Sequence, residues 1–136
     1  MVLTGMRLLV LEDEYLIGLE LERIAEECGA QSVHLVSSID ELLCWIESDA
    51  ICDIAILEVQ ARGLSSYQSA KLLQQSGIPI VFTTAYDQES AGIPGFPGVP
   101  VVGKPYGKSQ ILQAVISALG PIIPVARKGG ASGELV

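Results

Sequence analysis

Short apolar runs rich in branched residues alternate along this chain with longer segments of helical period, and this alternation restricts the fold more than any other feature. Strands buried on both faces read as continuous apolar runs, and the helices that cover them carry one apolar stripe. The pattern therefore predicts an α/β domain with a five-stranded parallel sheet and helices on both faces. The predicted strands are Arg7–Leu11, Val33–Val36, Ile54–Leu57, Ile80–Thr83 and Val99–Val102.

Between these strands, apolar residues recur at intervals of three and four, which is typical of amphipathic helices. The first predicted helix presents Ile17, Leu21, Ile24 and Cys28, and the second begins after a cap at Ser37 or Ser38 and presents Ile39, Leu42, Leu43 and Ile46. The third covers Ser66–Gln75 and stops at Gly77, and the last runs from about Gly107 to Leu119 with Ile111, Leu112, Val115, Ile116 and Leu119 inward.

The connection after Tyr86 differs from the others because six glycines and prolines lie between Gly92 and Pro100. Proline and glycine interrupt helices, so a fourth helix in this connection should be short or absent. We also expect few apolar anchors in this segment. The 136-residue chain then reads as one domain over residues 1–120, followed by a flexible tail over residues 121–136 that has no amphipathic period.

Charge and hydropathy exclude several classes of function. The net charge of −8 disfavours direct binding of nucleic acid. Apolar runs are shorter than the roughly 18–20 residues that a membrane span needs, and the amino terminus lacks the layout of a secretory signal, so we expect a cytoplasmic protein without a membrane partner. The three cysteines form no C-x-x-C pair and are expected to be buried free thiols, and the single histidine, His34, is expected to be structural.

The residues with chemical potential lie at the ends of the predicted strands. Glu12 and Asp13 follow the first strand, Glu58 the third, Thr84 the fourth and Lys104 the fifth. Ligands bind at the carboxyl ends of strands in an open parallel sheet, so these side chains should converge. Clustered carboxylates suit Mg²⁺, while a hydroxyl and an amine can hold phosphoryl oxygens.

Four segments resemble the response-regulator receiver family in their order and separation. They are Leu8–Glu14, Asp53–Glu58, Phe82–Tyr86 and Gly103–Pro105, and the similarity covers about Arg7 to Leu119. The resemblance implies a flavodoxin-like, CheY-like sheet with strand order 2-1-3-4-5. The Phe-Thr-Thr-Ala-Tyr segment is similar to a subset of stand-alone receivers whose fourth strand ends Phe-Ala-Thr-Gly-Tyr and whose fourth helix is reduced.

The resemblance also implies roles for individual residues. Glu12, Asp13, Glu58 and the backbone carbonyl of Gln60 would hold a weakly bound Mg²⁺, Thr84 and Lys104 would contact a phosphoryl group, and Glu58 occupies the position of the phosphate-accepting aspartate. Val101 and Tyr86 fall at positions tied to switching, where Val101 replaces a residue that is often aromatic. Arg62 replaces a common proline, and Tyr106 flanks the site as Tyr86 does.

Glutamate at position 58 alters the expected chemistry. Its extra methylene carries the carboxylate about 1.5 Å further from the backbone. A misplacement of about 1 Å can slow a reaction on the order of 100-fold, so efficient phosphotransfer to Glu58 is not expected. Glu58 could instead imitate the phosphorylated state by placing negative charge near Lys104 and Thr84. The remaining interpretations are a surviving acid in a domain that no longer switches, and an introduced substitution.

The leading hypothesis is a signalling module without catalytic turnover, not an enzyme, which binds a protein through the face around the fifth strand and the last helix. The partner would be a histidine kinase, a phosphotransfer protein or an effector, and a homodimer also stays open. One alternative is a working phosphoacceptor for a histidine kinase. Another is a small metal-dependent phosphatase, although the sequence has neither a G-x-S-x-G elbow nor a P-loop. The last is a structural domain with a vestigial acidic pocket.

Overall fold

A computed structural model describes residues 3–86 and 92–120 of the chain. Seven strands and four helices lie in these ranges. The strands are β1 (Arg7–Leu11), β2 (Ser32–Val36), β3 (Ile54–Glu58), β4 (Gln60–Ala61), β5 (Leu64–Ser65), β6 (Ile80–Thr84) and β7 (Val101–Gly103). The helices are α1 (Tyr15–Glu27), α2 (Ile39–Glu47), α3 (Tyr67–Gln75) and α4 (Lys108–Leu119).

Five of the strands form one parallel sheet in the order β2-β1-β3-β6-β7. Since β6 and β7 are the predicted fourth and fifth strands, this is the order 2-1-3-4-5, and the predicted fold class is confirmed. The remaining pair, β4 and β5, forms a small antiparallel hairpin just after β3. The order reverses between β1 and β3, so the carboxyl ends of these two central strands border the crevice in which such sheets bind ligands.

Alternate residues of the strands point to opposite faces and build two separate cores. The core that we call the α1/α4 core contains, among others, Val10, Ile24, Ile56, Val81, Val102, Ile111 and Val115. The α2/α3 core contains, among others, Leu11, Leu42, Leu57, Leu73, Ile80, Phe82 and Phe96. Every residue of β3 is buried because the strand is central and covered on both sides.

Several predicted boundaries shift by one or two residues. The strand predicted over Val99–Val102 begins at Val101, because the Val99 backbone N–H donates to the Phe96 carbonyl in a turn. Ser38 is the cap of α2, since its side chain accepts a hydrogen bond from the Glu41 backbone N–H at 3.2 Å. Gly77, with a φ of 80°, follows the end of α3 as predicted.

The predicted inward face of the last helix is partly wrong. Ile111 and Val115 are buried, but Ile116 is 52% exposed, and Leu119 is also exposed. Ala114, which was not predicted, lies in the α1/α4 core. The buried stripe therefore follows positions 111, 114 and 115, and position 116 falls to the side of the helix that faces away from it.

The expectation of few apolar anchors between Gly92 and Pro100 is also wrong. Ile93 and Phe96 are both buried in the α2/α3 core, and the Phe96 ring meets the Phe82 ring edge-on at a centroid distance of 5.0 Å. Residues 92–100 form turns and contain no helix. The rest of the predicted fourth connection, residues 87–91, and the predicted tail lie outside the described residues.

The other structural expectations have mixed outcomes. The cysteines are free, but only Cys28 is buried, Cys52 is half-buried and Cys44 is exposed. The single histidine lies on the edge strand β2 with its ring 6.5 Å from that of Trp45, which agrees with a structural role. No helix in the described ranges is long and apolar enough to cross a membrane.

Candidate functional site

The predicted site residues meet at the carboxyl edge of the sheet. Glu12 and Asp13 directly follow β1, Lys104 directly follows β7, and Glu58 and Thr84 are the last residues of β3 and β6. The register brings these ends level, because Leu11 lies opposite Leu57, Glu58 opposite Thr83, and Thr84 opposite Gly103.

Both carboxylate oxygens of Glu58 are engaged by other groups. The Lys104 ammonium donates to Oε2 at 2.7 Å, and the Asp13 backbone N–H donates to Oε1 at 3.0 Å. The Glu58 and Lys104 side chains are each only 10% exposed, so little water competes for these contacts. The carboxylate of Glu58 is thus held in one orientation at the end of β3.

Lys104 also binds the carboxylate of Glu12, whose side chain is fully buried. The ammonium nitrogen lies 2.9 Å from Oε1 and donates a hydrogen bond to Oε2 at 3.0 Å. Glu14, which has no role implied by the resemblance, approaches Lys104 at 3.5 Å from a more exposed position. One ammonium therefore balances two buried carboxylates, which leaves a negative charge in a region of low polarity.

The charges and the burial shift the pKa values of the cluster. Burial, together with the negative charge of Glu12, raises the pKa of Glu58 to about 7 against the opposing effects of Lys104 and the Asp13 N–H. Burial alone would lower the pKa of Lys104, but its hydrogen bonds to Glu58 and Glu12 raise it above its ordinary value. Glu58 therefore takes up a proton at a higher pH than an ordinary glutamate does, and only its ionised form can act as a nucleophile.

An open pocket of about 220 Å³ lies beside this cluster. Its lining residues are Asp13, Glu58, Val59, Gln60, Gly63, Thr84, Ala85 and Tyr86. Lys104 and Glu12 do not line it, although Glu58, which by strand parity shares the α1/α4 face of the sheet with them, does. Glu58 touches both the pocket and the buried cluster.

The hairpin of β4 and β5 borders the same pocket and supplies a contact that the sequence did not reveal. The Arg62 backbone N–H donates to Asp13 Oδ2 at 2.7 Å. Although burial acts in the opposite direction, this hydrogen bond helps to hold the pKa of Asp13 below its ordinary value. Gly63 favours a turn at this point, but the position of the turn over Asp13 depends on long-range packing.

The carboxylates fit a hard cation. One oxygen from each of Glu12, Asp13 and Glu58 can be chosen so that all lie within 4.8 Å of one another. Glu12 Oε1 is also buried, and the Lys104 ammonium lies 2.9 Å from it. Carboxylate oxygens are the ligands that Mg²⁺ prefers.

The two predicted switch positions lie in different surroundings. Val101 is half-buried and packs against the α2/α3 core, whereas Tyr86 is 53% exposed at the rim of the pocket. Tyr106 does not share the pocket with Tyr86, because its ring packs against the α1/α4 core. The two tyrosines therefore flank the acidic cluster from different sides.

Known structures give the context for this geometry. SdrG from Sphingomonas melonis Fr1 is 32% identical, with 88% of this chain and 98% of that chain covered and a TM-score of 0.73. The response regulator PhyR from Brucella abortus is 27% identical over 85% of this chain and 48% of its own, with a TM-score of 0.71. A response regulator receiver protein from Sinorhizobium medicae WSM419 shares the fold at 22% identity, with coverages of 82% and 91% and a TM-score of 0.71. No family model and no curated protein matches the sequence.

Proposed function

Because the chain belongs to the response-regulator receiver family, we propose that it is an atypical receiver in which Glu58 impairs or abolishes phosphotransfer and that it signals by binding a protein partner. The observation that carries the proposal is the engagement of both Glu58 oxygens, one by Lys104 and one by the Asp13 backbone N–H. These contacts fix the orientation of the Glu58 carboxylate, whose oxygens lie about one C–C bond length further from the backbone than those of an aspartate, and in-line attack on phosphorus is sensitive to such a shift.

The position of Lys104 supports the same proposal. A phosphoryl group in the open pocket would need a cation beside it, but the Lys104 ammonium is turned to Glu58 and Glu12 and does not line the pocket. The Glu58 carboxylate thus already pairs with the lysine that would otherwise contact a phosphorylated acceptor. The site would then stay in one conformation, in which Lys104 is paired with Glu58 whether or not phosphate is present.

Mg²⁺ would be held by Glu12, Asp13 and Glu58, with the Gln60 carbonyl as a further ligand. When bound, it would neutralise part of the negative charge that the cluster leaves unbalanced. The chain's own groups work against tight binding, since Arg62 holds one oxygen of Asp13 and Lys104 competes for Glu58. We therefore expect binding in the millimolar range, as for a loosely assembled carboxylate site.

The surface around β7 and α4 is the proposed partner face. Ile116 and Leu119 of α4 are exposed apolar side chains there. Apolar side chains grouped on one helix face are common where a domain binds another protein. A histidine kinase, a phosphotransfer protein or an effector are the proposed partner classes.

Acetyl phosphate in the presence of Mg²⁺ tests the proposal about phosphotransfer. The carboxylate oxygen of a working acceptor attacks phosphorus, a new O–P bond forms and acetate leaves. The chain itself should stay unmodified over a time in which the Glu58→Asp variant gains one phosphoryl group, because shortening the side chain withdraws the oxygen by about one C–C bond length and restores its reach. Intact-protein mass spectrometry and hydroxylamine sensitivity measure the product.

Glu58→Asn is the matched control, since it has the size of aspartate without a carboxylate and should gain no phosphoryl group. Ready modification of the unaltered chain at Glu58 would contradict the proposal and favour a working phosphoacceptor. A Glu58→Asp variant that also stays unmodified would show that the length of the side chain is not what blocks transfer. No feature of the described residues favours the phosphatase alternative.

A further inference from the structure

The main sheet has two edge strands, β2 and β7, which differ in how their outer edges are protected. β7 is three residues long and lies between Pro100 and Pro105, which have no backbone N–H to donate. β2 pairs with β1 in continuous register over five residues, and its sequence Ser-Val-His-Leu-Val contains neither proline nor lysine. Folded proteins usually blunt exposed edges with short strands, proline, charged side chains or bulges. Within β2 itself, none of these devices protects the outer edge against pairing with another strand.

The backbone groups of Val33 and Leu35 point outward from this edge. The Val36 carbonyl accepts a hydrogen bond from the Glu12 backbone N–H at 3.0 Å and therefore faces β1. Alternate residues of a strand direct their backbone groups to the same side, so His34 also faces β1, and the residues on either side of it face away. Among the described strands, only β1 pairs with β2.

An open groove of about 670 Å³ runs between this edge and α2. Its lining includes the rings of His34 and Trp45, whose centroids are 6.5 Å apart, and the carboxylates of Asp40 and Glu41. No lysine or arginine is among the described residues that line it. The Glu41 carboxylate accepts a hydrogen bond from the backbone N–H of Ser37, just after β2, at 2.7 Å. The groove thus joins an unpaired strand edge to an aromatic surface and to negative charge.

We propose that the outer edge of β2 binds an extended, cationic peptide segment of a partner protein. The segment adds a sixth strand to the sheet, with one apolar side chain against Trp45 and one cationic side chain beside Asp40. Strand addition is a recurring mode of peptide recognition, in which backbone hydrogen bonds supply affinity and pockets for alternate side chains supply specificity.

Charge favours this occupant over a second copy of the chain. Two copies paired through β2 would bring the Asp40 and Glu41 carboxylates of one groove towards those of the other, and each chain has a net charge of −8. The edge of β2 lies at the opposite end of the sheet from β7. The inference therefore depends neither on the proposed partner face around β7 and α4 nor on the chemistry of Glu58.

The probes are the peptide acetyl-Val-Thr-Val-Thr-Lys-amide and the same five residues in reverse order, because the direction of the added strand decides which order places lysine beside Asp40. One of the two should change the fluorescence of Trp45, the single tryptophan of the chain. At saturation it should also slow amide hydrogen exchange at Val33 and Leu35 by roughly tenfold or more, since their N–H groups become hydrogen-bonded.

Three controls separate strand addition from attraction between charges. The peptide with every backbone nitrogen methylated has the same side chains and charge but donates no backbone hydrogen bond, so it should not bind. Asp40→Asn should weaken binding by up to about fivefold, as for an exposed ion pair, whereas Glu26→Gln, at an exposed acid on α1, should not change it. Exchange at Val101 and Gly103 of β7 should not change either.

The proposal is overturned if neither peptide slows exchange at Val33 and Leu35, or if the methylated peptide binds as well as its parent. It is equally overturned if these two amides are already protected in the free chain and lose that protection on dilution, because a second copy would then occupy the edge.

Discussion

Arg62 has a backbone conformation that L-residues rarely adopt. Its φ is 51°, the one positive value among the described residues other than glycine, and Gly63 follows with a φ of 80°. Two successive left-handed residues form the turn between β4 and β5, which matches the twist of a two-residue hairpin. The turn aims the Arg62 N–H at Asp13, so the strained residue belongs to the candidate site.

We expect Arg62→Gly to be more stable than Arg62→Ala by about 0.5–1 kcal/mol, because a left-handed conformation costs a residue with a Cβ about 1–2 kcal/mol and the greater freedom of glycine in the unfolded chain offsets part of that. Both variants lack the guanidinium, which lies 3.4 Å from Ser37 Oγ, so its loss does not affect the difference between them. Urea unfolding gives the two free energies. Equal stability of the two variants would show that the turn is not strained.

The starts of the two central strands are joined by one ion pair. Asp53, just before β3, accepts hydrogen bonds from the Arg7 backbone N–H at 2.8 Å and from its guanidinium at 3.0 Å, and its own N–H donates to the Arg7 carbonyl at 2.7 Å. The hydrogen bond from the Arg7 side chain holds the pKa of Asp53 below its ordinary value. The pair therefore links β1 and β3 at the end of the sheet away from the acidic cluster.

This link predicts a pH dependence of stability. Because the folded pKa of Asp53 lies below the unfolded value of about 3.9, the stabilisation is fully present above pH 4 and is lost as the pH falls through the folded pKa. Asp53→Asn should lower the urea midpoint at pH 7, and the gap to the unaltered chain should narrow as the pH falls below about 4. Solvent screens this pair, which is about one-third exposed, so the effect should be modest.

Asp49→Asn is the control for this measurement. Asp49 is exposed and follows α2, so its substitution removes the same formal charge at a position away from Arg7. Its urea midpoint should follow that of the unaltered chain at every pH. A gap between Asp53→Asn and the unaltered chain that stays constant down to pH 2 would contradict the assignment of the effect to the Asp53 carboxylate.

At the scale of the whole molecule, one sheet separates two cores that contribute to a single fold. Ile111 of α4 lies in the α1/α4 core, and Ile80 of β6 lies in the α2/α3 core. A sheet between them keeps the two side chains from sharing a cavity. Both cores nevertheless depend on the same five strands, so neither should unfold alone.

Ile111→Val and Ile80→Val should each lower the free energy of unfolding by about 0.5–1.5 kcal/mol, the usual effect of removing one buried methyl group. The double variant should lose the sum to within about 0.5 kcal/mol, because the sites are independent. Circular dichroism and tyrosine fluorescence should report one coincident transition for every variant. Separate transitions by the two probes would show that the cores unfold independently.

Local periodicity in the sequence was enough to predict the five strands of the main sheet and the four helices, because apolar spacing indicates which face of an element is buried. The acids, the threonine and the lysine at the strand ends followed from the same pattern, since parallel strands bring their carboxyl ends together. Four segments in family order then predicted the strand order, which the sheet confirms.

Only the tertiary structure decided how those groups are used. Glu12 and Lys104 do not reach the open pocket, whereas Glu58, on the same face of the sheet, contacts both the pocket and the buried cluster. No local pattern distinguishes Thr83 from Thr84 before the register is known. Phe96 becomes a core residue because the Gly/Pro segment folds back onto Phe82, far away in sequence. These outcomes depend on burial and hydrogen bonds between distant residues, so the length of the Glu58 side chain could be read from the sequence, whereas the partners that hold its two oxygens could not.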